Sequence, residues 1–228
     1  MEEAVPAGAA FFVFGAGCRG HLAHVRPRVC SSPVRKEFSV AAMLSVNEVA
    51  ALADAPRSVV EKALEQRIFS ATRSGTRAER MLPIRSVALA ATFRSLGRRL
   101  TIADKLQMSR HVETVRLDAM RECRIEIAPA LTVDVGALAS DAVDRALRYA
   151  EARDAYIERV DGVMGGRPVL KGTRITASSV LGRIEAGDTI DDLLDDYPDV
   201  PREAFEAAYL YAATHPSVGR PARERGAA

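Results

Sequence analysis

Tryptophan is absent from the chain, and aromatic residues make up only 5% of it. Large stacking platforms for single-stranded nucleic acid are therefore excluded. Only three cysteines occur, at 18, 30 and 123, with no CxxC pair and no Cys/His cluster at zinc spacing. The four histidines are scattered, so no metal site is expected. His21 and His24 stand i,i+3 near Cys18, but in a stretch expected not to fold. Cysteine use of this kind fits a reducing compartment, and the cytoplasm is the expected location. No apolar run approaches the roughly 18 residues of a membrane helix. Residues 8–17 are apolar and end at Cys18, loosely like a lipoprotein signal, but Glu2 and Glu3 stand where positive charge is needed. Nucleophile elbows, metal-binding His pairs and phosphate-binding loops are also missing. No enzyme activity and no cofactor are expected.

What is present is an ordinary supply of apolar and charged residues and an uneven distribution of charge. Residues 43–125 hold fifteen Lys/Arg against nine Asp/Glu, whereas residues 156–228 hold nine against twelve. A basic front half and an acidic back half imply different partners for the two. The expected organisation runs in five parts. Residues 1–42 form a disordered or misannotated extension, and Met43 opens the first patterned segment. Residues 43–122 form a winged helix-turn-helix domain. Residues 123–155 are a connecting strand and helix. Residues 156–216 form a second small domain, and residues 217–228 a disordered basic tail. The fold class is mainly α with small β elements (α+β).

Local signals place the elements. Ser45 and Glu48 make a capping box for a helix over 44–52. Residues 53–56 turn the chain, and Pro56 suits the first position of a helix over 57–66. Residues 68–73 read as a strand, Ser74 and Gly75 as a turn, and 76–84 as the returning strand. Helices are predicted over 85–97, 101–121 and 137–153, the last with Ser140 or Asp141 as a cap. Short strands are predicted over 124–128, 131–135 and 156–160. After a Gly/Pro-dense stretch, three short helices follow. Gly187 ends the first, Asp188 or Thr189 caps the second, and Pro198 and Pro201 mark the next boundary.

The stretch SVNEVAALADAPRSVVEKALEQRIF resembles winged helix-turn-helix domains of the MerR and excisionase type. The resemblance implies that the second helix enters the major groove of double-stranded operator DNA and that basic wing residues reach phosphates. The DNA-contacting candidates are Arg57, Ser58, Lys62, Arg73, Arg77 and Arg80. Arg57 begins the recognition helix, where guanine is the commonest partner.

The run Gly165-Gly166-Arg167-Pro168-Val169-Leu170-Lys171-Gly172-Thr173-Arg174-Ile175 is the more specific motif. Together with EAGDTIDDLLDDYP and REAFEAAYLYAA it resembles a small bacterial domain family with a GGRPVIKGTRI signature, found in VapB-type antitoxins. That resemblance implies a C-terminal three-helix antitoxin-like domain that binds a PIN-type ribonuclease toxin, autorepression of the operon, and a homodimer suited to a two-fold operator. Read from the residues, the signature is first a structural turn. Gly165, Gly166 and Gly172 permit positive φ, Pro168 sets an extended entry, and Thr173 follows the turn. Arg167, Lys171 and Arg174 are then expected to bind the acidic helix carrying Asp191, Asp192, Asp195 and Asp196. The other reading makes those cations a patch for phosphate or a toxin carboxylate. The last helix is too acidic to read DNA. Its Phe205, Tyr209 and Tyr211 are interface candidates, with core packing open for Phe205. Arg220, Arg223 and Arg225 in the tail are candidates to pair with the carboxylates of a nuclease metal site. A free-standing transcriptional regulator with a ligand- or partner-sensing C-terminal domain is the alternative.

Overall fold

The structure is a computed structural model, and it describes residues 42–74 and 79–216. The expectations for residues 1–41, for Arg77 and for Arg220, Arg223 and Arg225 lie outside the described residues. The fold is mainly helical with small antiparallel sheets.

Strand β1 (Met43–Ser45) leads directly into helix α1 (Val46–Leu52). Ser45 accepts the Glu48 backbone N–H, and the Glu48 carboxylate accepts the Ser45 N–H, so the capping box forms as read. The helix begins later than predicted because residues 43–45 pair with another strand. Asp54 takes a left-handed φ of 55° in the turn, a conformation Asp tolerates better than most residues. Helix α2 (Arg57–Glu65) follows, with Pro56 at its N-cap, one position earlier than read. The hairpin of β2 (Thr72–Ser74) and β3 (Glu79–Pro83) comes next, and β1 adds to β3 to complete a three-stranded sheet. Two helices joined by a short turn are thus followed by a hairpin.

Residues 68–71 are not strand. Ile68 and Phe69 are buried plugs closing the end of α2, where both backbone N–H groups donate to the Ala63 carbonyl. Phe69 stacks on Phe93 of α3 (Ser86–Leu96) at 6.1 Å between ring centroids. The segment predicted as one helix over 101–121 divides into α4 (Ile102–Thr114) and a 3-10 turn over Leu117–Glu122. Hairpin β4 (Arg124–Ala128) and β5 (Leu131–Asp134) forms as read. Helix α5 runs from Val135 to Tyr156 and is capped by Asp134, not by Ser140 or Asp141.

Helix α5 packs against α3 in the same core as α1 and α2. Alanines at 88, 90 and 91 on α3 and at 139, 142 and 146 on α5 are all buried, and small side chains permit close helix approach. A second core lies behind it. Strands β6 (Ile157–Glu158) and β7 (Val169–Leu170) pair, and α6 (Ala177–Glu185), α7 (Ile190–Asp196) and α8 (Arg202–Thr214) close around Leu170, Val180, Leu193 and Phe205. Thr189 caps α7 through a capping box with Asp192, as Thr101 caps α4 with Asp104. Gly187, at φ 112°, ends the preceding turn. Helix α8 serves both cores: Ala207 belongs to the first, while Phe205 and Ala208 belong to the second.

Candidate functional site

Two surfaces collect the residues singled out from the sequence. The first lies on α2 and the β2–β3 hairpin. Arg57, Ser58 and Lys62 are exposed on α2, and Arg73 and Arg80 are exposed on the hairpin. In the register, Arg73 and Arg80 are direct cross-strand partners. Like charges placed directly opposite one another weaken a sheet, and neither arginine forms an ion pair among the described residues. Arg57 and Arg80 line one cleft of about 310 Å³ between α1, α2 and β3. Folding thus brings the start of α2 to the hairpin.

Two carboxylates not anticipated from the sequence share that cleft, Glu61 and Glu79. Glu61 accepts a 2.7 Å hydrogen bond from Arg57 Nε one helical turn away. Both side chains are exposed, so the pair steers Arg57 more than it stabilises the fold. The i,i+4 spacing of Arg57 and Glu61 was the available signal.

The support beneath this surface is a buried polar network. Glu48 is 1% exposed. Its carboxylate accepts hydrogen bonds from the Ser45 N–H, from Tyr149 Oη at 2.5 Å and from Arg153 at 3.2 Å. Arg153 also donates to the Met43 carbonyl. Burial, then the charge of Glu48, pushes the Tyr149 phenol far above its ordinary range. Arg145 donates to the Leu52 carbonyl at the end of α1, satisfying a group the helix leaves open. Helix α5 therefore fixes α1 by side chains as well as by packing.

The second surface is built on the Gly-Gly-Arg-Pro signature. Gly165, Gly166 and Gly172 have φ of 70°, 71° and 74°, as the turn reading requires. Met164 also lies in the left-handed region, at 46°. Thr173 Oγ1 donates to the Leu170 carbonyl at 2.8 Å and accepts the Ile175 N–H at 3.0 Å. The Gly172 N–H donates to Glu158, and the Ala177 N–H donates to the Pro168 carbonyl. The loop is thereby clipped to β6 and to the start of α6.

The expected pairing of Arg167, Lys171 and Arg174 with the acidic helix does not form. Helix α7 and its flanks take their cations from neighbouring helices: Arg183 bonds Asp188 and Asp196, and Arg202 bonds Asp191. Arg183 is held more strongly protonated than usual by its hydrogen bonds to Asp188 and Asp196. Arg167, Lys171 and Arg174 are exposed and form no ion pair among the described residues.

On α8, Phe205 is fully buried in the second core and is not an interface residue. Tyr209 is 39% exposed. Tyr211 is half-buried, stacks on His215 and accepts a hydrogen bond from Arg159. The end of α8 touches the first surface: the Thr214 carbonyl accepts from Asn47, and His215 lies 3.9 Å from Glu79. No group of His, Cys, Asp or Glu arranged to hold a metal occurs among the described residues. Nor is any described helix long and apolar enough to cross a membrane.

Residues 157–212, from β6 into α8, match a family described as a protein of unknown function (DUF433). The chain is 26% identical over 190 residues to the uncharacterized protein y4eO of Sinorhizobium fredii (strain NBRC 101917 / NGR234), spanning 80% of this chain and 86% of that one. Among solved structures it is similar to a DUF433 member protein from Anabaena variabilis ATCC 29413, at 30% identity, covering 36% of this chain and 81% of that chain with a TM-score of 0.27. It is also similar to Rv2018 from Mycobacterium tuberculosis, at 16% identity, covering 72% and 96% of the two chains with a TM-score of 0.34.

Proposed function

We propose that the protein is a DNA-binding antitoxin. In this reading its front half grips operator DNA and represses its own operon, and its signature domain holds and neutralises a PIN-type ribonuclease in the cytoplasm. The observation that carries the DNA half is the Arg73–Arg80 pair. A sheet gains nothing from two arginines at opposite register positions, whereas a phosphate reached by both would gain two charge-assisted contacts. Arg57 at the entry of α2 lies in the same cleft as Arg80, at the place where a recognition helix reaches base edges. The partner half is supported by the three signature cations, which form no ion pair among the described residues. A homodimer follows if the operator is two-fold repeated.

The test uses the purified full-length chain, promoter DNA of its own operon, and the protein encoded beside it. Expected are salt-sensitive binding of the promoter fragment and a stable complex with the neighbour that restores growth on co-expression. Failure to bind the fragment at low ionic strength would refute the DNA half. A neighbour that neither binds nor is silenced would refute the antitoxin half, leaving a free-standing regulator.

A further inference from the structure

A cleft of about 700 Å³ opens between the signature loop, α6 and the segment after α7. Its walls include Ile175, Val180, Leu193 and Val200. Two large apolar side chains reach it half-exposed, Met164 at 45% and Tyr197 at 40%. Met164 is held there by left-handed backbone, a conformation costing a non-glycine residue on the order of 1 kcal/mol or more. Methionine is adaptable and is over-used on surfaces that receive protein partners.

The lips of the cleft differ in charge. On the signature side stands Arg174, with Arg167 and Lys171 on the same loop, and none of the three is paired among the described residues. On the other side Asp196 is already neutralised by Arg183, while Asp199 is exposed. Nucleic acid is a poor fit, because α7 would set its carboxylates against the phosphates. An apolar trough with a cationic lip fits a helix that is apolar on one face and acidic along one flank.

We infer that this cleft is the docking groove for such a helix of the toxin protein. The acidic flank lies along Arg174 and the apolar face lies over Met164 and Tyr197. The inference rests on the antitoxin reading and names the surface through which it acts.

The experiment is calorimetric titration of the full-length chain with the nuclease encoded beside it, using Arg174→Glu and Met164→Asn. Asparagine tolerates the left-handed backbone of position 164 while removing the thioether. Arg148→Glu, on the exposed face of α5, is the control. Promoter affinity, read in parallel, reports that each variant is folded. Each groove variant is expected to weaken the nuclease complex about tenfold or more, with the control within about twofold. Nuclease binding that is strong and indifferent to both groove variants would overturn the groove while leaving the antitoxin reading intact. No complex with the unaltered chain would overturn the antitoxin reading and the groove with it. Groove variants that change self-association in ultracentrifugation, or that release a small molecule seen by native mass spectrometry, without weakening the nuclease complex, would also overturn the assignment. Arg174→Glu changes only a surface side chain, so it decides the matter even if Met164→Asn folds poorly.

Discussion

Tyr149 on α5 donates a 2.5 Å hydrogen bond to Glu48 on α1, across 101 residues of sequence. Arg153, one turn further along α5, meets the same carboxylate. Removing one member of a buried ion pair strands the other, at about 3–5 kcal/mol. Glu48→Gln is expected near the lower end, about 3 kcal/mol, because Arg153 keeps Asp154. Urea unfolding followed by circular dichroism measures it; a loss below about 1 kcal/mol would show that the pair contributes little.

The same tyrosine makes stability fall in alkali. Its folded pKa is raised above the ordinary 10.0 by burial and by Glu48. Above pH 10 the unfolded chain releases the proton while the folded chain retains it, so deprotonation favours unfolding. The stabilising contribution is whole below pH 10 and shrinks as pH rises past it. Tyr149→Phe lacks this term. Its stability deficit relative to the unaltered chain, about 1–3 kcal/mol at neutral pH, is therefore expected to narrow between pH 10 and 11. A constant gap in urea midpoints across that range would contradict the assignment.

Arg73→Ala and Arg80→Ala test the wing. Each is expected to weaken promoter binding evenly across sequences and to reduce the salt slope, log K against log salt, by about 0.9. Without DNA each is expected to raise stability by a few tenths of a kcal/mol, because facing like charges are relieved. Fluorescence anisotropy at several salt concentrations, alongside thermal melts, separates the two effects. Unchanged slopes would remove the wing from the DNA interface.

Gly136, in the first turn of α5, leaves no room for a methyl group. A Cβ there would run into the backbone carbonyl of Arg121, which has no side-chain freedom to yield. Gly136→Ala is expected to cost about 2 kcal/mol, or roughly 4–8 °C in melting temperature for a domain of this size. A melt within a degree of the unaltered chain would show that the 3-10 turn gives way.

Thr189→Ala removes the hydroxyl that accepts the Asp192 N–H. A lost N-cap costs about 1 kcal/mol, and the loss is expected as faster amide exchange over residues 190–196. Exchange unchanged there would mean that packing of Leu193 alone holds the short helix.

Features carried by near neighbours were legible in the sequence. The capping box at Ser45, a cap at Asp188 or Thr189 (Thr189 in the structure) and the end of α6 at Gly187 each depend on residues at most a few positions apart. Distant partners were not legible. Strand β1 reads as the start of a helix because its strand partner, β3, lies nearly forty residues on. Ile68 and Phe69 look like strand because an apolar pair reads alike whether it pleats or plugs. The Asp134 cap hides at the end of a strand pattern. At the site, basic residues on α2 and the hairpin were visible by composition. Glu61 and Glu79 in their midst, and the buried role of Glu48, emerge only when separate elements are brought together. The signature cations were assigned to the wrong carboxylates because Arg183 and Arg202, on the flanking helices, reach them first.

Because α8 contributes Ala207 to one core and Phe205 to the other, and its Thr214 carbonyl accepts from Asn47, no clean cut separates the two halves. A chimera that exchanged the rear module with that of a relative would have to graft matched surfaces on α5 and α1, which α8 packs against, as well. Under the proposed function, specificity for one partner and specificity for one promoter would be inherited together, and the two traits would drift through evolution as a linked pair.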